Sequence, residues 1–208
     1  MADQGRAEVI NLALLHCGED SILDPAGDSK NAKLCATVYD NTLAEVLSGH
    51  PWSFATTAAQ LQQLGETPSD VRFQYAYQLP ENCGLILSVE CAGIARRNWI
   101  GETARSNTLP PAEYMVQGRK LLSNQTNMQI VYVRNAVLPS EMSPQFKSLF
   151  AANLALKVFS KITGSTSGKT ELAKEIIALE LKAKHADSEQ TNTMPENRPN
   201  QFVSARQY

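Results

Sequence analysis

The chain has 208 residues, 43% hydrophobic and 19% charged, an ordinary globular composition with apolar material for one large core or two small ones. Nineteen Lys and Arg stand against 21 Asp and Glu, a formal net charge of −2, so there is no overall basic field to hold a polyanion. Four cysteines (Cys17, Cys35, Cys83, Cys91) and three histidines (His16, His50, His185) are scattered without a Cys-x-x-Cys pair, which argues against a zinc centre and for free thiols in a reducing cytoplasm.

The first stretch, "MADQGRAEVINLALLHCG", is charged in its opening turns and has no apolar run long enough for a signal peptide or membrane span. Its periodicity predicts a helix from Asp3 to Cys17, with Ile10, Ala13, Leu14 and Cys17 on one face and Gly18 as its stop. In the turn-rich "EDSILDPAGDS" that follows, Ile22 and Leu23 are expected to pin the connection to the core. A second helix is predicted from about Ser29 to Ser48 on the stripe Ala32, Cys35, Tyr39, Leu43, Val46 and Leu47, ended by Gly49 and Pro51.

The period then changes to two. "VRFQYAYQLP" puts Phe73, Tyr75, Tyr77 and Leu79 on one face, and "CGLILSVECAG" is rich in strand formers. "EYMVQGRKLLSNQTNMQIVYVRN" reads as a three-strand meander that turns at Gly118 and at Asn124–Asn127. Helix returns at about Ser140 with a Ser143-Pro144 cap, and "QFKSLFAANLALKVFSKI" is apolar around most of its girth, which predicts burial on more than one side. The last helix carries Leu172, Ile176, Leu179, Ala183 and Ala186 in three-four spacing, and a polar, proline-bearing tail is expected after Asp187. The simplest architecture is α+β. Two N-terminal and two C-terminal helices (residues 1–51 and 136–190) close as a four-helix bundle, residues 52–135 form an inserted antiparallel β domain, and residues 191–208 form an extended C-terminal arm.

The Gly168-Lys169-Thr170 tripeptide resembles the end of a phosphate-binding loop, but the spacing is wrong: the required first glycine falls on Thr163, and Gly164 stands one residue too close. The loop would also follow a helix instead of a strand. The pattern reads as a helix stop at Gly164, N-cap candidates at Ser165 to Ser167, and Glu171 near the positive end of the next helix. His16 and His50 lie near helix ends, where they are expected to satisfy free carbonyls. Glu66, Asp70, Glu81 and Glu102 fall in polar loops and are expected to be solvated. No catalytic constellation emerges, and an enzyme is not expected.

"GHPWSFATTAAQL", from Gly49 to Leu61, is the most unusual stretch: Pro51 breaks the helix, and Trp52 and Phe54 anchor a crossover from helices to sheet. This segment, with "LLHCGEDSI", "AKLCATVYDNTLAEVLSGHPWSFA", "YAYQLPENC" and "YMVQGRKLLSN", resembles the tail tubular protein A (head-to-tail adaptor) family of short-tailed bacteriophages. The resemblance runs from about Asn11 to Asp187, and "HPWSFA" followed by Y-x-Y-x-LP-x-x-C is its most specific combination. It implies a structural virion protein at the head–tail junction, made in the host cytoplasm. Such a protein forms a homo-oligomeric, twelve-fold ring that joins the portal protein to a tubular nozzle protein and extends the channel through which DNA passes. It implies no catalytic residue, cofactor or metal. Another ring-forming head-completion or tail-terminator protein remains an alternative, as does a nucleotide-binding enzyme built on the Gly-Lys-Thr at 168–170. Within the arm, Pro195 and Pro199 oppose helix, and Phe202, Val203, Arg206 and Tyr208 are the candidate residues for binding the portal or a neighbouring subunit.

Overall fold

A computed structural model describes residues 2–24, 27, 29–91 and 114–191. They form a mixed α+β fold with four helices and two antiparallel sheets. Helix α1 (Ala2–Cys17) ends in a left-handed Gly18 with φ 72°. The Gly18 N–H donates to the Leu15 carbonyl and the Glu19 N–H to that of Leu14, the paired bonds that close a helix C-terminus. The Asn11 side chain then grips the connection from both sides, its amide donating to the Ile22 carbonyl (3.0 Å) and its oxygen accepting from the Ile22 N–H (2.7 Å). Ile22 packs on the core as expected, but Leu23 does not: its side chain is fully exposed.

Helix α2 (Lys30–Ser48) buries the predicted stripe except Val46, which is half-buried, and adds Thr42, whose hydroxyl donates to the Val38 carbonyl. Helix α3 (Pro144–Thr163) is capped by Ser143, whose Oγ accepts from the Phe146 N–H, and stops at left-handed Gly164. Its buried residues, from Phe146 to Phe159, surround its axis because α1, α2 and helix α4 (Lys169–Thr191) all pack on it. The apolar girth read from the sequence is therefore satisfied within the chain, and no large hydrophobic side chain of α3 is exposed. Helix α4 buries Leu172 and Ala183 and runs on to Thr191, past Asp187 and into the first residue of the expected arm.

The strands are β1 (Thr56–Gln60), β2 (Gln62–Leu64), β3 (Tyr75–Gln78), β4 (Cys83–Cys91), β5 (Tyr114–Gln117), β6 (Lys120–Ser123) and β7 (Met128–Arg134). One sheet has the order β1-β7-β4 and the other β2-β3-β6-β5. The expected meander is corrected here: β5 and β6 form a hairpin through Gly118 (φ 59°), but β7 leaves for the other sheet. The chain changes direction at Asn127, the one non-glycine at positive φ (55°) among the described residues, where the asparagine side chain tolerates the left-handed region. β7 pairs instead with β1, Thr56 opposite Val133, and with β4. Leu61 is the matching corner between β1 and β2, with its N–H on the Met128 carbonyl.

Strand β3 is also shorter than its alternation promised. Phe73 precedes it with the Arg72 guanidinium over its ring, while Tyr77 and Leu79 are buried on one face and Ala76 on the other. Tyr77, Leu79 and Leu121 from one sheet and Met128, Ile130 and Tyr132 from the other make a core distinct from the helical one. Among the described residues no helix is long and apolar enough to cross a membrane.

Candidate functional site

The joint between helices and sheets is built from the sequence "HPWSFA". Beyond α2, the Ala55 and Thr56 N–H groups and the Thr56 hydroxyl all donate to the Trp52 carbonyl, folding Trp52–Thr56 into a single tight turn that launches β1. Trp52 is 1% exposed, and its indole N–H donates to the Val46 carbonyl (3.1 Å), which also accepts the Gly49 N–H at the end of α2. Its ring meets His50 (centroids 4.7 Å apart) and Phe146 (4.9 Å), both edge-on. Phe146 stacks on towards Phe150, which meets Tyr39 edge-on, and the Arg6 guanidinium lies 4.2 Å over the Tyr39 ring. A line of aromatic contacts thus runs from the joint through the helical core. Burial pushes the Tyr39 hydroxyl up to about 12 and the Cys35 thiol up to about 11, so neither ionises in ordinary conditions.

The return crossing lies beside the outward one. The Arg134 N–H donates to the Ala55 carbonyl (2.9 Å) and its guanidinium to the Phe54 carbonyl (2.8 Å). The same guanidinium pairs with Glu141 at 2.9 Å, and Glu141 accepts the Leu138 N–H. The Arg134 hydrogen bond, then that of Leu138, holds the Glu141 carboxyl below its ordinary range.

Asp187 completes the joint from α4, 134 residues along the chain. Its carboxylate accepts the Ser53 N–H at 3.0 and 3.2 Å and the Ser53 hydroxyl at 2.6 Å, while His50 Nε2 lies 3.4 Å from Oδ2. Serine, aspartate and histidine therefore meet, but the carboxylate sits in the middle. A nucleophilic triad needs the imidazole between serine and carboxylate to take the hydroxyl proton. Here the hydroxyl donates straight to the carboxylate, an arrangement that fastens a helix to a turn. Sequence reasoning missed Asp187, although it lies four residues beyond Ala183 on the buried stripe of α4. A polar residue at a stripe position was the available signal.

The histidines differ from expectation in their partners: His16 faces Glu175 (3.7 Å) and His50 faces Asp187, carboxylates of α4 in place of helix-end carbonyls. Of the loop carboxylates, Glu66 pairs with Lys120, and Asp70 is gripped by the Arg72 guanidinium, whose hydrogen bonds hold its carboxyl down to about 2. Glu81 is exposed, and Glu102 lies outside the described residues.

Gly164 to Gly168 forms the turn between α3 and α4, and Lys169 and Thr170 open α4. Three N–H groups here are engaged locally: Ser165 donates to Thr163 Oγ1, Ser167 to Ser165 Oγ, and Lys169 to the Thr166 carbonyl. A phosphate cradle requires successive N–H groups pointing at the ligand. Gly168 has φ 85°, and a Cβ there would meet the Phe159 ring at 3.3 Å, so the glycine serves the close return of α4 on α3.

Two hollows adjoin these elements. One, about 400 Å³, is lined by Glu66, Ser69, Gln117, Arg119 and Lys120, which bond among themselves and, for Arg119, to the Pro80 carbonyl. The other, about 180 Å³, lies between α2, α3 and α4 beside Trp52. Among the described residues no group of three or more His, Cys, Asp or Glu is placed to hold a metal ion, and all four cysteines are free. Phe202, Val203, Arg206 and Tyr208 lie outside the described residues. No protein-family model matches the sequence, and no curated protein matches it.

Proposed function

We propose that the chain is a structural, non-catalytic virion protein: a head-to-tail adaptor whose copies form a ring, twelve-fold in this reading, between portal and tail nozzle. In this reading residues 1–51 and 136–190 are a discontinuous helical bundle, residues 52–135 an inserted β domain that meets the nozzle, and the arm beyond α4 reaches the portal or a neighbouring subunit. The observation that carries the reading is the joint. "HPWSFA", which carries the resemblance only in combination with Y-x-Y-x-LP-x-x-C, is the segment that locks both chain crossings between helices and sheets. An adaptor under the force of packaged DNA needs its two parts to hold a fixed relation, and paired crossings clamped by Asp187 and Arg134 supply one. The other matched segments also fall on structural joints: "LLHCGEDSI" holds the α1 stop, and "YMVQGRKLLSN" is the β5–β6 hairpin.

The α3 surface offers no ring contact, since α1, α2 and α4 cover it. Exposed Ile177 and Leu181, one turn apart on the outer face of α4, are better candidates for a subunit contact. A heterologous contact repeated about an axis closes a ring. The test is electron microscopy of the protein mixed with the portal of the same phage. A ring of added density beneath the portal is expected; isolated dimers, or no binding, overturn the proposal.

A further inference from the structure

Two of the four cysteines come together in the helical core. Near the start of α1, the Arg6 guanidinium bonds Asp40 at 3.3 Å and lies over the Tyr39 ring. Just past the end of α1, Glu19 accepts from the Asn31 amide at 3.1 Å. The start of α1 thus meets the middle of α2, and the end of α1 meets the start of α2. The two helices therefore run antiparallel, with the last turn of α1 beside the first turns of α2. Cys17 closes that last turn, and Cys35 lies one helical turn beyond Asn31, about 6 Å along the axis. Both side chains pack on the same core cluster. After burial, charge on Cys17 is the next influence that raises the Cys35 thiol, so the two sulfurs are within electrostatic reach of each other.

Their access to solvent is unequal. Cys35 is 0% exposed, and a dissolved reagent cannot touch it, whereas Cys17 is half-buried. A reagent that modifies Cys17 therefore leaves Cys35 as the thiol next in line. The other two cysteines form no such pair. Cys83 and Cys91 stand at opposite ends of β4, roughly 25 Å apart along the strand, and Cys91 donates to the Thr126 carbonyl. A disulfide needs Cα atoms within about 7 Å.

We propose that Cys17 and Cys35 form an intrachain disulfide when the protein meets a small-molecule disulfide oxidant, a covalent staple between α1 and α2. The Cys17 thiolate attacks one sulfur of the oxidant, a mixed disulfide forms at Cys17, and one reduced thiol leaves. Cys35 then gives its proton to solvent and attacks Cys17 Sγ, and the second reduced thiol leaves. Two protein thiols are oxidised, and one disulfide is reduced to two thiols. Burial raises both protein thiols, with Glu19 adding to it at Cys17, so the exchange is slow at neutral pH. The staple is a slow lock: open in a reducing cytoplasm, closed in oxidising surroundings. In the adaptor reading those surroundings arrive when the particle leaves its host, but the inference stands on the thiol pair and needs neither portal nor ring.

The test uses the full chain, reduced and then held for days with oxidised glutathione at mildly alkaline pH without denaturant. Intact and peptide mass spectrometry follow. The expected product has lost two hydrogens per chain and yields peptides joined through Cys17 and Cys35. Its Tm should lie roughly 5–10 °C above that of the reduced protein and fall back on adding dithiothreitol. Cys17→Ser should abolish the linkage, and Cys35→Ala should stop at a stable glutathione adduct of Cys17. If Cys35→Ala does not fold, the unaltered chain and Cys17→Ser decide between them. An unaltered chain that stops at the Cys17 adduct overturns the proposal. So does one that keeps all its thiols free, links any other pair of cysteines, or links two chains. No portal is present, so failure here is separate from failure of the adaptor assignment.

Discussion

Replacing Asp187 with alanine is expected to be among the most damaging single changes at a polar position. The carboxylate is 9% exposed and accepts two donors from Ser53, with His50 as a third neighbour. Hydrogen bonds to a charged group contribute about 1.5–3 kcal/mol each in mutational series, and truncation also leaves the Ser53 N–H in a half-buried site without its acceptor. The contributions are not additive because both bonds involve one serine, so the expected loss is about 2–4 kcal/mol, not their sum. In a chain of this size that lowers Tm by roughly 4–15 °C. Asp187→Asn keeps one acceptor oxygen and loses the charge, so about half the effect is expected. The assay is urea unfolding followed by helical circular dichroism, with Ser53→Ala and the double variant completing a cycle whose coupling should exceed ~1 kcal/mol. An Asp187→Ala loss within ~0.5 kcal/mol, the range of an ordinary surface change, would refute the view that this carboxylate fastens α4 to the joint.

Four further outcomes are expected. Tyr39→Phe removes a buried hydroxyl that has no hydrogen-bond partner among the described residues, so stability should stay level or rise by up to about 1 kcal/mol; a clear loss in urea midpoint would count against it. Gly168→Ala should cost about 1–2 kcal/mol through positive φ and the Phe159 contact, whereas Lys169→Ala should change stability by less than ~0.5 kcal/mol. Nucleotide binding by calorimetry that vanishes in Lys169→Ala would overturn the reading of that segment as a turn. Asp70 and Glu141 have depressed carboxyl pKa values, so their stabilisation is present above the ordinary carboxylate range and fades as pH falls below it, for Asp70 towards about 2; Arg134→Gln should remove the Glu141 share of that acid limb in urea midpoints measured against pH.

The helices were legible because each carries a one-sided or all-round apolar pattern, and α1, α2 and α3 have local start or stop signals as well. Gly18, Gly49, Ser143 and Gly164 act within a few residues of themselves, and such signals survive in a single sequence. The sheets were legible only as strands. Nothing local in "KLLSNQTNMQIVYVR" says that β6 and β7 belong to different sheets, because the deciding partners, β3 for one and β1 and β4 for the other, lie far away in sequence. The joint was half legible. Trp52 and Phe54 announced themselves by size and by Pro51, whereas Asp187 looked like the edge of a polar tail because its partner is 134 residues distant.

The central position of α3 sets a timetable for synthesis. Helices α1 and α2 have little contact with each other, so their apolar faces wait for the segment from Phe146 to Phe159. From Ser48 to Pro144 is about 100 residues, which at ribosomal rates of about 5–20 residues per second is a delay of ~5–20 s. For all of that interval Leu43 and Leu47 are without their cover from α3. The nascent chain therefore carries uncovered apolar faces over its first two thirds, and their cover arrives with α3 and then α4.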